Sequence, residues 1–170
     1  MEKINKLKKL ISYYNLDGYF VSKNDEFFGE YIPDNKDKLK FISNFSGSYG
    51  FALILKNANY LFVDGRYTLQ AKMQSGKYFQ IVTIPQKLPS NVIKKRRLKI
   101  GYDPKLHTHK TLKSLFNNTK CKMVPINKNL IDQLWKKGGD KNSKKFYLLP
   151  KEATDQNYKF KIKKLVKILS

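Results

Sequence analysis

The fold turns on Phe51-Ala52-Leu53-Ile54-Leu55, Lys56-Asn57-Ala58-Asn59, Tyr60-Leu61-Phe62-Val63 and Asp64-Gly65-Arg66-Tyr67, read as one continuous stretch. Its two apolar runs have strand length, and the four polar and small residues between them predict an antiparallel hairpin. Asp64 leaves a buried strand and is placed to cap a helix that follows. Gly65 is expected to allow a sharp reversal, and Arg66 can fold back to a carboxylate. That constellation needs no substrate to explain it, so Asp64, Gly65, Arg66 and Tyr67 read as structural.

Working outward toward the amino terminus, Phe41, Ile42 and Phe45 precede a small-residue segment, Ser46-Gly47-Ser48-Tyr49-Gly50. Residues 22–40 are polar apart from Phe27, Phe28 and Tyr31, and predict a long loop or a short helix. Tyr19-Phe20-Val21 reads as a short buried strand after the turn residues Asn15-Leu16-Asp17-Gly18. Ile4, Leu7, Leu10, Ile11 and Tyr14 recur at helical spacing, the buried stripe of an amphipathic helix. Toward the carboxyl terminus, Leu69, Ala71 and Met73 sit in a helix ending near Gly76. Strands are expected at Phe79–Ile84, Leu98–Tyr102 and Met123–Pro125, with a helix around Leu112, Leu115 and Phe116. Leu130, Ile131, Leu134 and Trp135 form a final apolar cluster. The order predicts an α/β domain over residues 1–137, a mixed five- to six-stranded sheet flanked by helices. Residues 138–145 have linker composition. Residues 146–170 add an extended segment and a basic C-terminal helix bearing Phe160, Ile162, Leu165, Val166 and Leu169. A helix of that length cannot bury its stripe alone; it must dock, fray or find a partner.

The chain has 170 residues, 41% of them hydrophobic, with 11 Tyr and 11 Phe. That supports a packed core and argues against wholesale disorder. No apolar run reaches the ~18–20 residues of a membrane span, and no secretory signal pattern opens the chain. The lone Cys121 excludes an internal disulfide framework and fits a reducing compartment, so the expected location is the cytoplasm. The net charge is +22, from 35 Lys and Arg against 13 Asp and Glu. Only Arg66, Arg96 and Arg97 are Arg, and Lys, Asn and Ile, whose codons are A/T-rich, are all abundant. A Lys-rich solvated surface is therefore the preferred reading over a selected polyanion site. Non-specific attraction to polyanions follows from the field in either case.

No catalytic constellation assembles. His107-x-His109 could hold a metal only if both lay on one face of a strand, and they follow Asp103-Pro104 in a loop or helix start. Ordinary surface histidines are the preferred reading. Cys121, flanked by Lys120 and Lys122, reads as an inert, partly buried thiol rather than a nucleophile. Ser46-Gly47-Ser48-Tyr49-Gly50 lacks the ending of a nucleotide-binding P-loop and leads into a strand, so a tight turn with Gly at positive φ is expected.

These pieces, in this order, resemble the amino-terminal domain shared by Xaa-Pro aminopeptidases, prolidases and creatinases. The resemblance runs through Asp17–Val21, Glu30–Pro33, Phe41–Gly50, Val63–Ala71, Gly101-Tyr102-Asp103-Pro104 and Asn129-Leu130-Ile131-Asp132-Gln133-Leu134-Trp135. It is closest to the long, three-domain aminopeptidase P type. The family usually has Gly where Asn44 stands and Arg in the stretch of Lys36, Lys38 and Lys40, and residues 85–97 look shortened.

What the resemblance implies is the first domain of a three-domain metallopeptidase, followed by the opening of a second domain of the same fold. Ser46, Gly47, Ser48, Gly50, Asp64, Gly65, Arg66, Tyr67, Asp103, Pro104, Asp132 and Trp135 are then framework residues of the family. The family's dinuclear Mn or Zn site lies in a later catalytic domain, and nothing here matches its ligands. The expectation is a non-catalytic chain with no metal, cofactor or catalytic residue of its own. It would make subunit contacts and help wall an active-site entrance. The implied partners are a second copy of the chain or a separate chain carrying the metallopeptidase domain. The rival expectation is a basic module binding nucleic acid or another polyanion, centred on the last helix.

Overall fold

A computed structural model describes residues 2–94, 96–135 and 147–170. The chain divides into two compact units, Met1–Gly138 and Gly139–Ser170.

The first unit is built on one six-stranded sheet. Its strands are β1 (Gly18–Ser22), β2 (Gly50–Leu55), β3 (Asn59–Asp64), β4 (Gln80–Ile84), β5 (Lys99–Tyr102) and β6 (Lys122–Pro125), in the spatial order β4-β3-β2-β1-β5-β6. The expected hairpin is the β2–β3 pair, antiparallel with Ala52 opposite Leu61 and Leu53 opposite Tyr60. β1 pairs antiparallel with β2 and parallel with β5; β3–β4 and β5–β6 are parallel. The sheet is mixed because β2 alone runs against the other five strands. Every other neighbour arrives by a crossover through a helix.

Both faces are covered, which is why β1 and β2 are buried along their whole length. Alternate residues divide between two cores. Tyr19, Val21, Ala52, Ile54, Leu61 and Val63 pack under α1 (Glu2–Tyr13), α2 (Lys38–Ser43), α3 (Thr68–Ser75) and α6 (Leu130–Leu134). Phe20, Phe51, Leu53, Phe62 and Ile100 pack with Ile93 of α4 (Pro89–Ile93) and Leu112 of α5 (His109–Leu115). α1 buries Ile4, Leu7 and Ile11, three of the residues its spacing picked out.

Local chemistry sets the element ends. α4 starts with Pro89 in its first turn, where a missing N–H costs nothing, and Asn91 Oδ1 accepts the Leu88 N–H at 2.7 Å. It fills the 85–97 segment with a helix of only 5 residues. A short helix is one of the two expectations for residues 22–40; α2 begins there at Lys38 and runs on through residues 41–43. Asp37 caps that helix, accepting the Lys40 N–H at 2.9 Å. α2 ends at Asn44 with φ 63°, the left-handed conformation in which Gly is preferred and Asn is next best. The departure from the family pattern at Asn44 is therefore a conservative one.

Two glycine expectations are corrected. No described glycine has positive φ, so Ser46–Gly50 is not a glycine turn of that kind. Gly47 is instead a matter of space, since a Cβ there would lie 2.2 Å from the Phe45 ring. Gly65 is neither: φ is ordinary, and a Cβ would meet nothing within 4 Å.

In the second unit a helix, α7 (Tyr158–Leu169), is capped by Asn157, whose side chain accepts the Phe160 N–H at 3.0 Å. No residue of α7 is buried. Tyr147–Pro150 is irregular. The expected linker 138–145, and Phe146, lie outside the described residues.

Candidate functional site

β1, β3, β4, β5 and β6 run in one direction, so their carboxyl ends share one edge of the sheet with the start of β2. β1 hands the chain to β2 on one side, while β5 arrives on its other side. In open α/β sheets the crevice beyond such a switch point is where ligands bind. A pocket of about 340 Å³ lies there, lined by Phe20, Ser22, Lys23, Ser48, Arg66 and His107 among others.

Ser22 is only 5% exposed, and its hydroxyl has no hydrogen-bond partner among the described residues. His107 Nε2 is likewise buried and unpartnered. The imidazole packs 4.9 Å from the Phe20 ring and 6.1 Å from Tyr102, measured between centroids. Burial in this apolar setting pushes its pKa down to about 4, with Asp103 opposing the shift. At neutral pH it is an uncharged imidazole able to accept or donate one hydrogen bond. This corrects the expectation of two surface histidines: His109 is exposed at the start of α5, but His107 is half-buried.

The wall formed by 46–50 is stitched to α3. Gln74 Oε1 accepts the Ser46 N–H at 3.0 Å, Gln70 Nε2 donates to Ser46 Oγ at 3.0 Å, and the Ser48 and Tyr67 hydroxyls meet at 2.7 Å. Asp64 caps the 3₁₀ turn Gly65–Tyr67, accepting the Arg66 N–H at 2.9 Å. Arg66 folds back as expected, Nη2 lying 2.7 Å from Asp64 Oδ2, and its guanidinium holds the Asp64 carboxyl below the usual carboxylate range.

Asp103 and Pro104 stand at the end of β5. Asp103 Oδ1 accepts the Lys105 N–H at 2.9 Å, and its buried Oδ2 accepts from Asn129 Nδ2 at 2.7 Å. Asn129 in turn caps α6 through the Ile131 N–H at 2.8 Å. One buried amide thus ties the β5 turn to the last helix of the unit. Asp132 lies 3.7 Å from the buried Lys38, and Trp135 stacks on Phe41 at 4.7 Å. Burial also raises the Tyr19 phenol above its ordinary range, with its oxygen 3.4 Å from the Leu130 N–H.

Of the family-motif residues, Ser48, Gly50 and Arg66 line the pocket. Ser46, Asp64 and Tyr67 brace its wall, Gly65 makes no such contact, and Gly47 lets the Phe45 ring close beneath it. Asp103, Pro104, Asp132 and Trp135 belong to the β5–α6 junction. Sequence reasoning missed Ser22 and Asn129 as individual residues. The available signals were a lone hydroxyl closing the apolar run Tyr19-Phe20-Val21 and an Asn immediately before Leu130-Ile131.

These residues do not fit a dinuclear metal. Among the described residues no three His, Cys, Asp or Glu side chains come together. The carboxylates of Asp64 and Asp103 are already taken by donors of the protein itself. Cys121 is half-buried with Sγ 3.6 Å from the Arg96 carbonyl oxygen, a structural setting.

A profile of the Creatinase/Prolidase N-terminal domain matches residues 3–134. The chain belongs to the creatinase/prolidase N-terminal domain family. Among curated relatives, a probable Xaa-Pro aminopeptidase P of Coprinopsis cinerea is 32% identical over 173 residues, covering 94% of this chain and 27% of that protein. Aminopeptidase P1 of Lotus japonicus is 33% identical, over 71% of this chain and 19% of its own length. The chain thus spans about a quarter or less of these relatives. The X-prolyl aminopeptidase of Caenorhabditis elegans, a cytosolic enzyme with a di-nuclear active site, superposes with a TM-score of 0.66 at 25% identity, over 79% of this chain and 25% of that one. The N-terminal domain of Mycobacterium tuberculosis PepQ superposes at 0.58 with 21% identity, over 79% of this chain and 98% of that domain, a likeness of fold. No helix among the described residues is long and apolar enough to cross a membrane.

Proposed function

We propose that this chain acts as the non-catalytic N-terminal domain of an Xaa-Pro aminopeptidase-like metallopeptidase, working in the cytoplasm. Its role is to make subunit contacts and to wall an active-site entrance supplied by another domain or chain. The observation that carries this reading is the match over residues 3–134 to an N-terminal domain family whose curated relatives are about four times longer. A dinuclear hydrolase activates its water on bridging carboxylates. The paired state of Asp64 and Asp103 supports assigning that chemistry elsewhere. The carboxyl-edge pocket, with Ser22, His107 and Arg66, is the surface best suited to face the partner, because it offers unspent hydrogen-bonding groups on an apolar floor.

Affinity purification from the native cell, followed by mass spectrometry, tests this. Recovery of a chain carrying a dinuclear metallopeptidase domain, lost when Ser48→Trp fills the pocket mouth, is the expected result. A purified chain that sediments as a monomer and retains no metallopeptidase would overturn it.

A further inference from the structure

The charge of the first unit is not evenly spread. Residues 1–64 carry 9 Lys against 8 Asp and Glu, whereas residues 65–135 carry 15 Lys and Arg against Asp103 and Asp132 alone. A codon bias toward Lys, Asn and Ile adds cations along the whole chain. It does not strip carboxylates from one stretch of it. Ion pairing follows the same division: every described ion pair takes its cation from Lys6 to Arg66. Among the described residues, no Lys or Arg from Lys72 to Lys128 is in an ion pair.

The topology gathers many of these cations at the amino edge of β5 and β6, opposite the pocket. Lys99 and Lys122 are register partners in the parallel ladder, and the Lys122 N–H donates to the Leu98 carbonyl at 2.8 Å. Arg96 and Arg97 lead into β5, and Lys120 leads into β6, where Cys121 Sγ touches the Arg96 carbonyl oxygen. Lys94 shares a shallow surface hollow with Asn117 and Asn118. All six cations are exposed. The carboxylate that reaches this edge, Asp17, accepts the Lys99 N–H at 2.9 Å and pairs with Lys56 at 3.3 Å. Like charges directly opposite on paired strands destabilise a sheet. Here Asp17, which Lys56 also claims, is the carboxylate that meets Lys99, and a polyanion laid across the edge would relieve the repulsion that remains.

The surrounding surface indicates which polyanion. Between Met73 and Tyr147 no large hydrophobic is exposed among the described residues, so the segments that carry these cations offer no wedge for a membrane and no aromatic platform for stacked bases. It offers cations, with Asn117, Asn118 and Thr119 beside them as neutral donors. That is the chemistry of phosphate-backbone contact. We infer that the amino edge of β5 and β6 binds the phosphate backbone of duplex nucleic acid without regard to sequence. This surface is separate from the carboxyl-edge pocket and does not depend on the peptidase reading.

The test uses the full chain and a fluorescent random-sequence DNA duplex, titrated at several salt concentrations. The expected wild-type result is saturable binding with a log–log salt slope of about −0.9 for each phosphate contacted. Arg96→Glu/Arg97→Glu/Lys120→Glu should flatten that slope by about 3 and weaken binding at least ~10-fold at physiological salt. Lys161→Glu/Lys163→Glu/Lys164→Glu on α7 reverses as many charges and should change binding less than ~3-fold. All six sites are exposed, and circular dichroism checks that both variants fold; Arg96→Gln/Arg97→Gln repeats the test at lower charge change. Equal losses in both triple variants would reduce the effect to net charge and overturn the inference. So would tighter binding to anionic vesicles or to single strands than to duplex, or no duplex binding at 0.15 M salt.

Discussion

The two ends of the same sheet solve the problem of charge in opposite ways. At the carboxyl edge the carboxylates that end the strands and cap the turns are engaged by the protein: Asp64 by Arg66, Asp103 by Asn129 and the Lys105 N–H, Asp37 by Lys23 and the Lys40 N–H. The unspent groups there are neutral, the Ser22 hydroxyl and the His107 imidazole. At the amino edge of β5 and β6 the cations stand side by side and exposed, with Asp17 committed to Lys56 and the Lys99 N–H. The first arrangement fixes turns and shapes a pocket through directional bonds, of which the Asp103–Asn129 bond is buried. The second leaves a positive field facing outward.

The sharpest way to break this contrast is at Asp103. Replacing it by Ala removes a buried charged hydrogen bond and strands the Asn129 amide, and should cost about 2–4 kcal/mol. The urea midpoint would fall with an unchanged slope. A loss below about 0.5 kcal/mol would mean the β5–α6 tie is ornamental.

His107 comes next. Its folded pKa of about 4 lies below the ordinary 6.5, so above pH 6.5 both states are neutral and nothing is lost. As pH falls from 6.5 toward 4 the unfolded chain takes up a proton that the folded one refuses. Stability then declines by about 2–3 kcal/mol before levelling off. His107→Phe should remove that decline while leaving pH 7.5 stability nearly unchanged. Parallel pH profiles for the two proteins would contradict the buried, neutral imidazole.

A smaller effect is expected at the amino edge. Lys99→Glu places opposite charges in register with Lys122 and should stabilise by about 0.2–1 kcal/mol at low salt, fading as salt rises. Destabilisation there would show that the cations are quietly compensated. Smallest of all, Gly65→Ala should shift stability by at most about 1 kcal/mol, toward gain, because neither φ nor space demands Gly in this chain.

How much could be read from the residues depended on how local the cause was. The hairpin, the stripe of α1 and the Asp64–Arg66 turn followed from neighbours in sequence, and each stands where the pattern put it. Residues 41–43 carry no helical period long enough to notice, and α2 owes its existence to the Asp37 cap and to burial of Leu39 and Ile42. α4 is shorter still, a single turn set by Pro89 and Asn91. The requirement for Gly47 comes from Phe45 folding beneath it, a packing fact with no sequence signature. The pocket was illegible for a stronger reason. It joins Ser22, Ser48, Arg66 and His107 from four separate strand ends, and only the strand order brings them to one edge. The basic edge was hidden similarly, since the sequence shows Lys everywhere, whereas pairing reveals which Lys lack carboxylates.

The proposed role has residues 1–170 support a metallopeptidase without performing its chemistry. The direct measurement is release of the first residue from an X-Pro-peptide by the pure chain with Mn²⁺ or Zn²⁺ supplied. No release above the metal-only control is expected. Release that is abolished by a chelator and scales with protein concentration would contradict it.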